Sequence, residues 1–265
     1  MKLDRRHVIA VLSGKGGVGK SSVAAQLAVS LVNRGYKVGV MDADLCGPSI
    51  PKLLNCDHGS VYQSDEGWIP VFPLKNDSLA VMSIGFLLKN ESDPVIWRGP
   101  KKNMMIKQFI QDVCWGEIDF LIVDTPPGTS DEHMAVVEST KDMNPDGAVL
   151  VTTPQRVAAN DVRREITFCK KTGLHVIGII ENMSGLKCPN CSSIEKVFSM
   201  GGGEELAKEN NLNYLGRLPL DPEFASACED GRLLNSYSTL NAFEQWNPIL
   251  DAILAKCLDQ TTTTQ

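Results

Sequence analysis

Short apolar runs alternate along this chain with longer segments whose apolar positions recur every three or four residues. Residues 8–12 are apolar without interruption, which predicts a strand buried on both faces. A glycine-rich stretch follows, and then a helical period from Ser21 to about Asn33. Val23, Leu27 and Leu31 share one face of it, and Gly35 is placed to end it in left-handed geometry. Further strands are predicted at residues 38–41, 79–83, 120–123, 148–152 and 176–180, with helices at 101–113 and 157–171. Residues 58–74 carry turn formers, Trp68 and two prolines, and predict a hairpin or an irregular insertion. Residues 185–199 predict a loop broken by Gly185 and Pro189. A last helix starts near Leu240, with Pro248 marking a kink or a restart, and Thr261 to Gln265 predict a disordered tail. The alternation predicts an α/β fold: a doubly wound, mostly parallel sheet with helices on both faces. No repeat or long linker interrupts it, so residues 1–260 are read as one domain.

Composition narrows the partners. At 43% hydrophobic, 265 residues can bury a substantial core. A net charge of -6 without any basic block argues against nucleic acid, which needs concentrated Lys and Arg. No apolar segment approaches the roughly 20 residues that cross a bilayer, so no membrane partner is expected. The first residues, Met1 to His7, include an acid and lack the apolar or Arg/Ser-rich pattern of a targeting segment, which makes the cytosol the expected compartment. There, eight cysteines are read as free thiols or metal ligands rather than disulfides.

The first candidate chemistry is a phosphate site. Gly14, Lys15, Gly16, Gly17, Val18, Gly19, Lys20 and Ser21 fit G-x-x-x-x-G-K-[ST], between a predicted strand and a predicted helix. Glycines let the backbone wrap phosphate oxygens with its N–H groups pointing inward. The helix adds its positive dipole end. Lys20 supplies a full charge to the β- and γ-phosphates, and the Ser21 hydroxyl is placed to ligate magnesium; Ser22 completes the nucleotide-binding set. Asp42 and Asp44 follow one predicted strand and Asp124 another, at the strand ends where ligands of open α/β sheets collect. Two carboxylate segments, one magnesium and two lysines suffice for phosphoryl transfer, which needs positioning and charge neutralisation. An Asp at a strand end, taken alone, is also a turn or cap residue.

Cys188 and Cys191 form the second constellation. A C-x-x-C turn holds two sulfurs close enough for one metal or one edge of a cluster. Four readings compete: a thioredoxin-like pair, a structural zinc site, free surface thiols, and an iron–sulfur cluster shared between chains. A redox pair would open a helix after a strand, and a zinc site needs four ligands, with no second pair following. A [4Fe–4S] cluster takes four cysteines, and two chains would supply them. Cys114, Cys169 and Cys257 lie in helical patterns and are read as core or near-core. Cys46 lies beside Asp44 and is expected near the nucleotide, while Cys56 and Cys228 have no evident partner.

These motifs together resemble a known family. The additional Lys15 is similar to the deviant P-loop class of MinD, ParA and the nitrogenase iron protein. The residues 42–49, Trp97 to Pro100, Asp124 to Asp131, Glu181 to Met183 and Cys188 to Cys191 resemble the Mrp/ApbC family of iron–sulfur carrier ATPases, from about residue 6 to 255. The resemblance implies that Lys15 reaches a partner's nucleotide across a sandwich dimer, and that Asp124, with Asp42, holds magnesium. It implies that Asp44 orients the attacking water, making Lys15, Lys20 and Asp44 the catalytic set. Asn182 and Pro219 would bind adenine. It further implies ATP hydrolysis, and a labile [4Fe–4S] cluster on Cys188 and Cys191 of two chains. Within the family the chain is similar to the shorter of two eukaryotic cytosolic scaffolds. That likeness implies a homodimer, a heteromeric complex with the longer scaffold, and transfer to cytosolic and nuclear apoproteins. The alternative is a MinD/ParA-like positioning ATPase with a zinc clasp; it would need a basic amphipathic C-terminal helix or a basic surface, and residues 249–258 carry one Lys and one Asp. An electron-donating reductase is disfavoured, because the nitrogenase iron protein's cluster cysteines lie far apart in sequence.

Overall fold

A computed structural model describes residues 3, 5–88, 97–197 and 201–259, apart from the side chains at 156, 159 and 259. Eleven strands occur among the described residues: β1 (His7–Leu12), β2 (Val38–Asp42), β3 (Tyr62–Ser64), β4 (Gly67–Ile69), β5 (Leu79–Ser83), β6 (Phe120–Asp124), β7 (Gly147–Thr152), β8 (Val176–Glu181), β9 (Leu186–Lys187), β10 (Ile194–Glu195) and β11 (Tyr214–Arg217). The helices are α1 (Lys20–Asn33), α2 (Ile50–Leu53), α3 (Gly99–Gln111), α4 (Asp131–Thr140), α5 (Arg156–Thr172), α6 (Gly202–Asn210), α7 (Pro222–Glu229) and α8 (Asn241–Asp259).

Seven strands form one sheet in the order β11-β8-β7-β1-β6-β2-β5. Every pairing in it is parallel. β1, β2, β5, β6, β7 and β8 are buried at every position, as strands sandwiched between helical layers must be, and this is why they read as unbroken apolar runs. From β1 the chain runs outward to β2 and β5; from β6 it crosses to β7, β8 and β11. β1 therefore sits where the direction of winding reverses, the place where such sheets bind ligands beyond their carboxyl ends.

The core splits by face. α1 and α8 cover one side, with Leu27, Leu31, Trp246, Leu250 and Ile253 buried against Ile9, Val11, Val40 and Ile122. On the other side α3 and α4 pack Ile106, Phe109 and Val136 over Met41, Leu121 and Val123. α5 and α6 cover the β7/β8 end with Val162, Ile166 and Leu206.

Three expectations are corrected. Residues 185–199 are not plain loop: β9 and β10 form an antiparallel hairpin there, and residues 198–199 lie outside the described ones. Pro248 does not restart the last helix, since α8 runs through it with buried residues on both sides. Cys114 follows α3 rather than lying in it, and donates its backbone N–H to Trp68 in the β4 edge of the insertion, which is a hairpin as predicted. The tail at 261–265 lies outside the described residues.

Candidate functional site

The carboxyl ends of β1, β2, β6, β8 and β11, the loops after them and the first turn of α1 carry all the predicted residues except Cys188 and Cys191. Gly14 to Gly19 bridge β1 and α1. Gly17 and Gly19 both adopt left-handed backbone, with φ of 79° and 81°, a conformation that costs a side chain dearly. A Cβ at Gly19 would also collide with the Asn182 amide, so the loop closes only because that position is bare. Asn182 Nδ2 donates to the Val18 carbonyl at 2.9 Å and ties the phosphate loop to the end of β8. Lys15 is half-buried and makes no ion pair among the described residues.

Parallel pairing puts Asp42 at the end of β2 level with Asp124 at the end of β6. Both are fully buried. Lys20 Nζ lies 2.6 Å from Asp124 Oδ1, and the Ser21 hydroxyl donates to Asp124 Oδ2 at 2.6 Å. Asp42 accepts from the backbone of Asp44, Ser49 and Ile50 and from the Ser83 hydroxyl, at 3.1–3.2 Å. Burial, and then the Asp124 carboxylate, push Asp42 up to about 8, against the pull of Lys20. Asp44 is pushed up by burial, and its Oδ1 accepts from Gly47 N. A hydroxyl and two carboxylates converging there form an all-oxygen donor set, the kind that suits magnesium. Ser22 stands beside Cys228, which is buried.

Asn182, Pro219 and Asp221 line a small cavity with Gln26, Leu218 and Phe224, next to the phosphate loop. Three amides, Gln26, Asn182 and Gln245, and the Asp221 carboxylate beside apolar Leu218 and Phe224 suit a nucleobase better than a phosphate.

The thiols sit on a different element. Cys188 and Cys191 are at the tip of the β9/β10 hairpin, where Cys188 N donates to Ser193 O at 2.8 Å and Ser192 N to Cys188 O at 2.9 Å. Cys191 is exposed and Cys188 half-buried. Hydrogen bonds from Ser193, through side chain and backbone, and from Cys188 hold the Cys191 thiol below its ordinary value, which favours the thiolate that binds metal. Among the described residues no group of three or more His, Cys, Asp or Glu side chains is gathered into a metal site. Among the described residues, the turn thus gathers two thiols and no further ligand.

The other cysteines divide as expected in part. Cys169 and Cys257 are fully buried, and Cys56 and Cys228 are buried too. Cys46 is exposed, 3.0 Å from Lys102 Nζ, which also meets Glu132 at 3.0 Å.

Sequence reasoning missed Lys187, and named Glu181 only as part of the motif that resembles the Mrp/ApbC family. Glu181, buried at the end of β8, accepts from the Ser184 hydroxyl and from the backbone N–H groups of Gly201 and Gly203, holding the start of α6. Lys187 meets Asp221 at 2.7 Å. A charged residue ending an apolar strand pattern could have signalled Glu181; Lys187, within Ser-Gly-Leu-Lys-Cys, stands in no such pattern.

A family model described as ParA, NUBPL iron-transfer P-loop NTPase, matches residues 4–254. The chain belongs to this family. It is 59% identical over 249 residues to a protein of Nematostella vectensis named cytosolic Fe-S cluster assembly factor NUBP2 homolog, covering 94% of this chain and 92% of the relative. It is 55% identical to cytosolic Fe-S cluster assembly factor NUBP2 of Gallus gallus, covering 97% and 95%. Among solved structures it is similar to a nucleotide-binding protein of Archaeoglobus fulgidus in complex with ADP, at 40% identity and a TM-score of 0.75 over 90% of each chain. The cell division ATPase MinD of Pyrococcus furiosus shares the fold, with a TM-score of 0.64 at 21% identity, over 93% of this chain and 98% of that one.

Proposed function

We propose that this chain is a cytosolic ATP-dependent carrier that holds a [4Fe–4S] cluster between the Cys188/Cys191 pairs of two chains and passes it to apoproteins. The observation that carries the reading is the exposed turn with two thiols and no further ligand beside them among the described residues. The names of the relatives, cytosolic Fe-S cluster assembly factors, support it. Residues 1–260 act as one nucleotide-binding domain around that turn.

In this reading ATP is the substrate that drives the cycle. The phosphate loop, Gly14 to Ser22, wraps the phosphates. Lys20 neutralises the β- and γ-oxygens, and Lys15 reaches the nucleotide of the partner. Asn182 and Pro219 hold adenine. Ser21, Asp42 and Asp124 would hold magnesium, which would supply positive charge at the γ-phosphate and offset the repulsion between the two buried carboxylates. Asp44, at the rim, orients the attacking water. Hydrolysis is slow and coupled to cluster release. The working assemblies are a homodimer and a heteromeric complex with the longer scaffold of the same family, and the acceptors include cytosolic and nuclear apoproteins.

The positioning-ATPase alternative is not favoured by any observation. α8, the element that would serve a membrane, has Trp246, Ile249, Leu250, Ile253 and Cys257 buried in the core.

Anaerobic reconstitution with iron and sulfide tests the proposal. About four iron and four sulfide per two chains are expected, falling to none in Cys188→Ser/Cys191→Ser while ATP still binds. Stoichiometric zinc without sulfide would overturn it and make the turn a structural clasp. Iron and sulfide retained by the double variant would place the ligands elsewhere.

A further inference from the structure

Lys187 directly precedes the first thiol and is buried, and its partner Asp221 is 34 residues away on the wall of the base-side cavity. We infer that the Lys187–Asp221 pair is a positioning contact that makes metal on the thiol turn and nucleotide at the base wall energetically dependent on each other. The inference rests on the proposed function.

The connection has three parts. First, the backbone of residues 184–187 is laid along residues 218–220: Ser184 N donates to Leu218 O, Leu220 N to Gly185 O, and Lys187 N to Leu220 O, at 2.8–3.0 Å. Second, Asp221 divides its carboxylate. Oδ1 accepts from Glu223 N and caps α7, while Oδ2 takes the Lys187 ammonium at 2.7 Å. Third, both side chains are nearly solvent-free, 8% and 6% exposed. Stretching such a pair strands two charges in a medium that solvates them poorly, so the segments that carry them move as one.

The rest of the hairpin is held less firmly. β10 is exposed along its length, and Ser192 takes left-handed backbone at φ 57°. Lys187 is therefore the firm end of the turn, and Cys188 follows it in sequence. A displacement of residues 219–221 by the base reaches Cys188 through this pair before it reaches Cys191. By reciprocity, a cluster on the thiols must change nucleotide affinity by the factor by which nucleotide changes cluster affinity.

The test measures ATP affinity by calorimetry for the full-length protein with and without its reconstituted cluster. In the wild type the two affinities should differ by at least about fivefold, the lower end of ordinary coupling. Lys187→Met should bring the ratio to about one while iron content per chain stays at the wild-type value; Lys187→Arg, which keeps the charge, should retain the ratio. Should Lys187→Met fail to fold, Lys187→Met/Asp221→Asn removes both charges and asks the same question. A purely structural pair would lower melting temperature in these variants and leave the ratio unchanged, and that result would overturn the inference. A wild type that takes up the cluster yet shows equal affinities would also overturn it, with the proposed function standing. A wild type that takes up no cluster would overturn both.

Discussion

Lys20 and Asp124 pair at 2.6 Å with almost no exposure, so deleting either charge leaves the other buried and unanswered. Lys20→Ala should abolish tight ATP binding and cost ~3 kcal/mol of stability, with the fold retained; calorimetry and urea melts measure the two effects. Unchanged nucleotide affinity would contradict the assignment of the phosphate loop. Gly19→Ala is a sharper probe of geometry, because it meets both a left-handed φ and the Asn182 amide. It should weaken nucleotide binding at least tenfold, roughly the 1.4 kcal/mol of one lost hydrogen bond to Val18, while the circular dichroism of the helices stays the same. These residues were legible in sequence because the phosphate loop is contiguous and each carboxylate ends an apolar run. The pairing of Asp221 with Lys187 was not visible at all. Nothing local links a residue of β9 to the residue that caps α7.

At the scale of elements, the six fully buried strands of the sheet were predicted to within a residue or two, since burial on both faces leaves an unmistakable run of apolar positions. β11 was not predicted: it has four residues, Arg217 is exposed, and Gly216 interrupts it at φ 148°. α6 and α7 were missed because they open at Gly202 and Pro222, residues that read as punctuation although both are tolerated in a first turn. α4 is a similar case: Ser130 caps it in a box completed by His133 instead of the usual acid. α5 carries its own prediction. Glu165 is fully buried in it, neither carboxylate oxygen has a partner among the described residues, and burial pushes its pKa from 4.5 up to about 8. The folded state therefore binds a proton that the unfolded state has released between those values, and stability falls as pH rises from about 4.5 to about 8. Urea melts across that window should show a loss of up to ~1.4 kcal/mol per pH unit from this group, and Glu165→Leu should flatten it. An equal slope in the variant would assign the dependence to other groups.

For the whole molecule, the proposed cluster needs a second copy, because each chain brings only a pair of thiols to the turn, Cys191 exposed and Cys188 half-buried. Cluster loading should convert a 28.9 kDa species into one of twice that mass in sedimentation, and Cys188→Ser/Cys191→Ser should remove the conversion on iron and sulfide. ATP could still pair chains through Lys15, so the experiment is run without nucleotide. The order of the central sheet also governs how the chain is born. β1 is the first strand made, yet its neighbours begin at Phe120 and Gly147, more than a hundred residues later. At the ribosome's roughly 5–20 residues per second, β1 waits on the order of ten seconds for its first partner, exposed as a sticky apolar ribbon. The cysteine turn is made later still, but residues 218–221, against which it is laid, follow it, so the thiol pair exists before the segment that anchors it has been made.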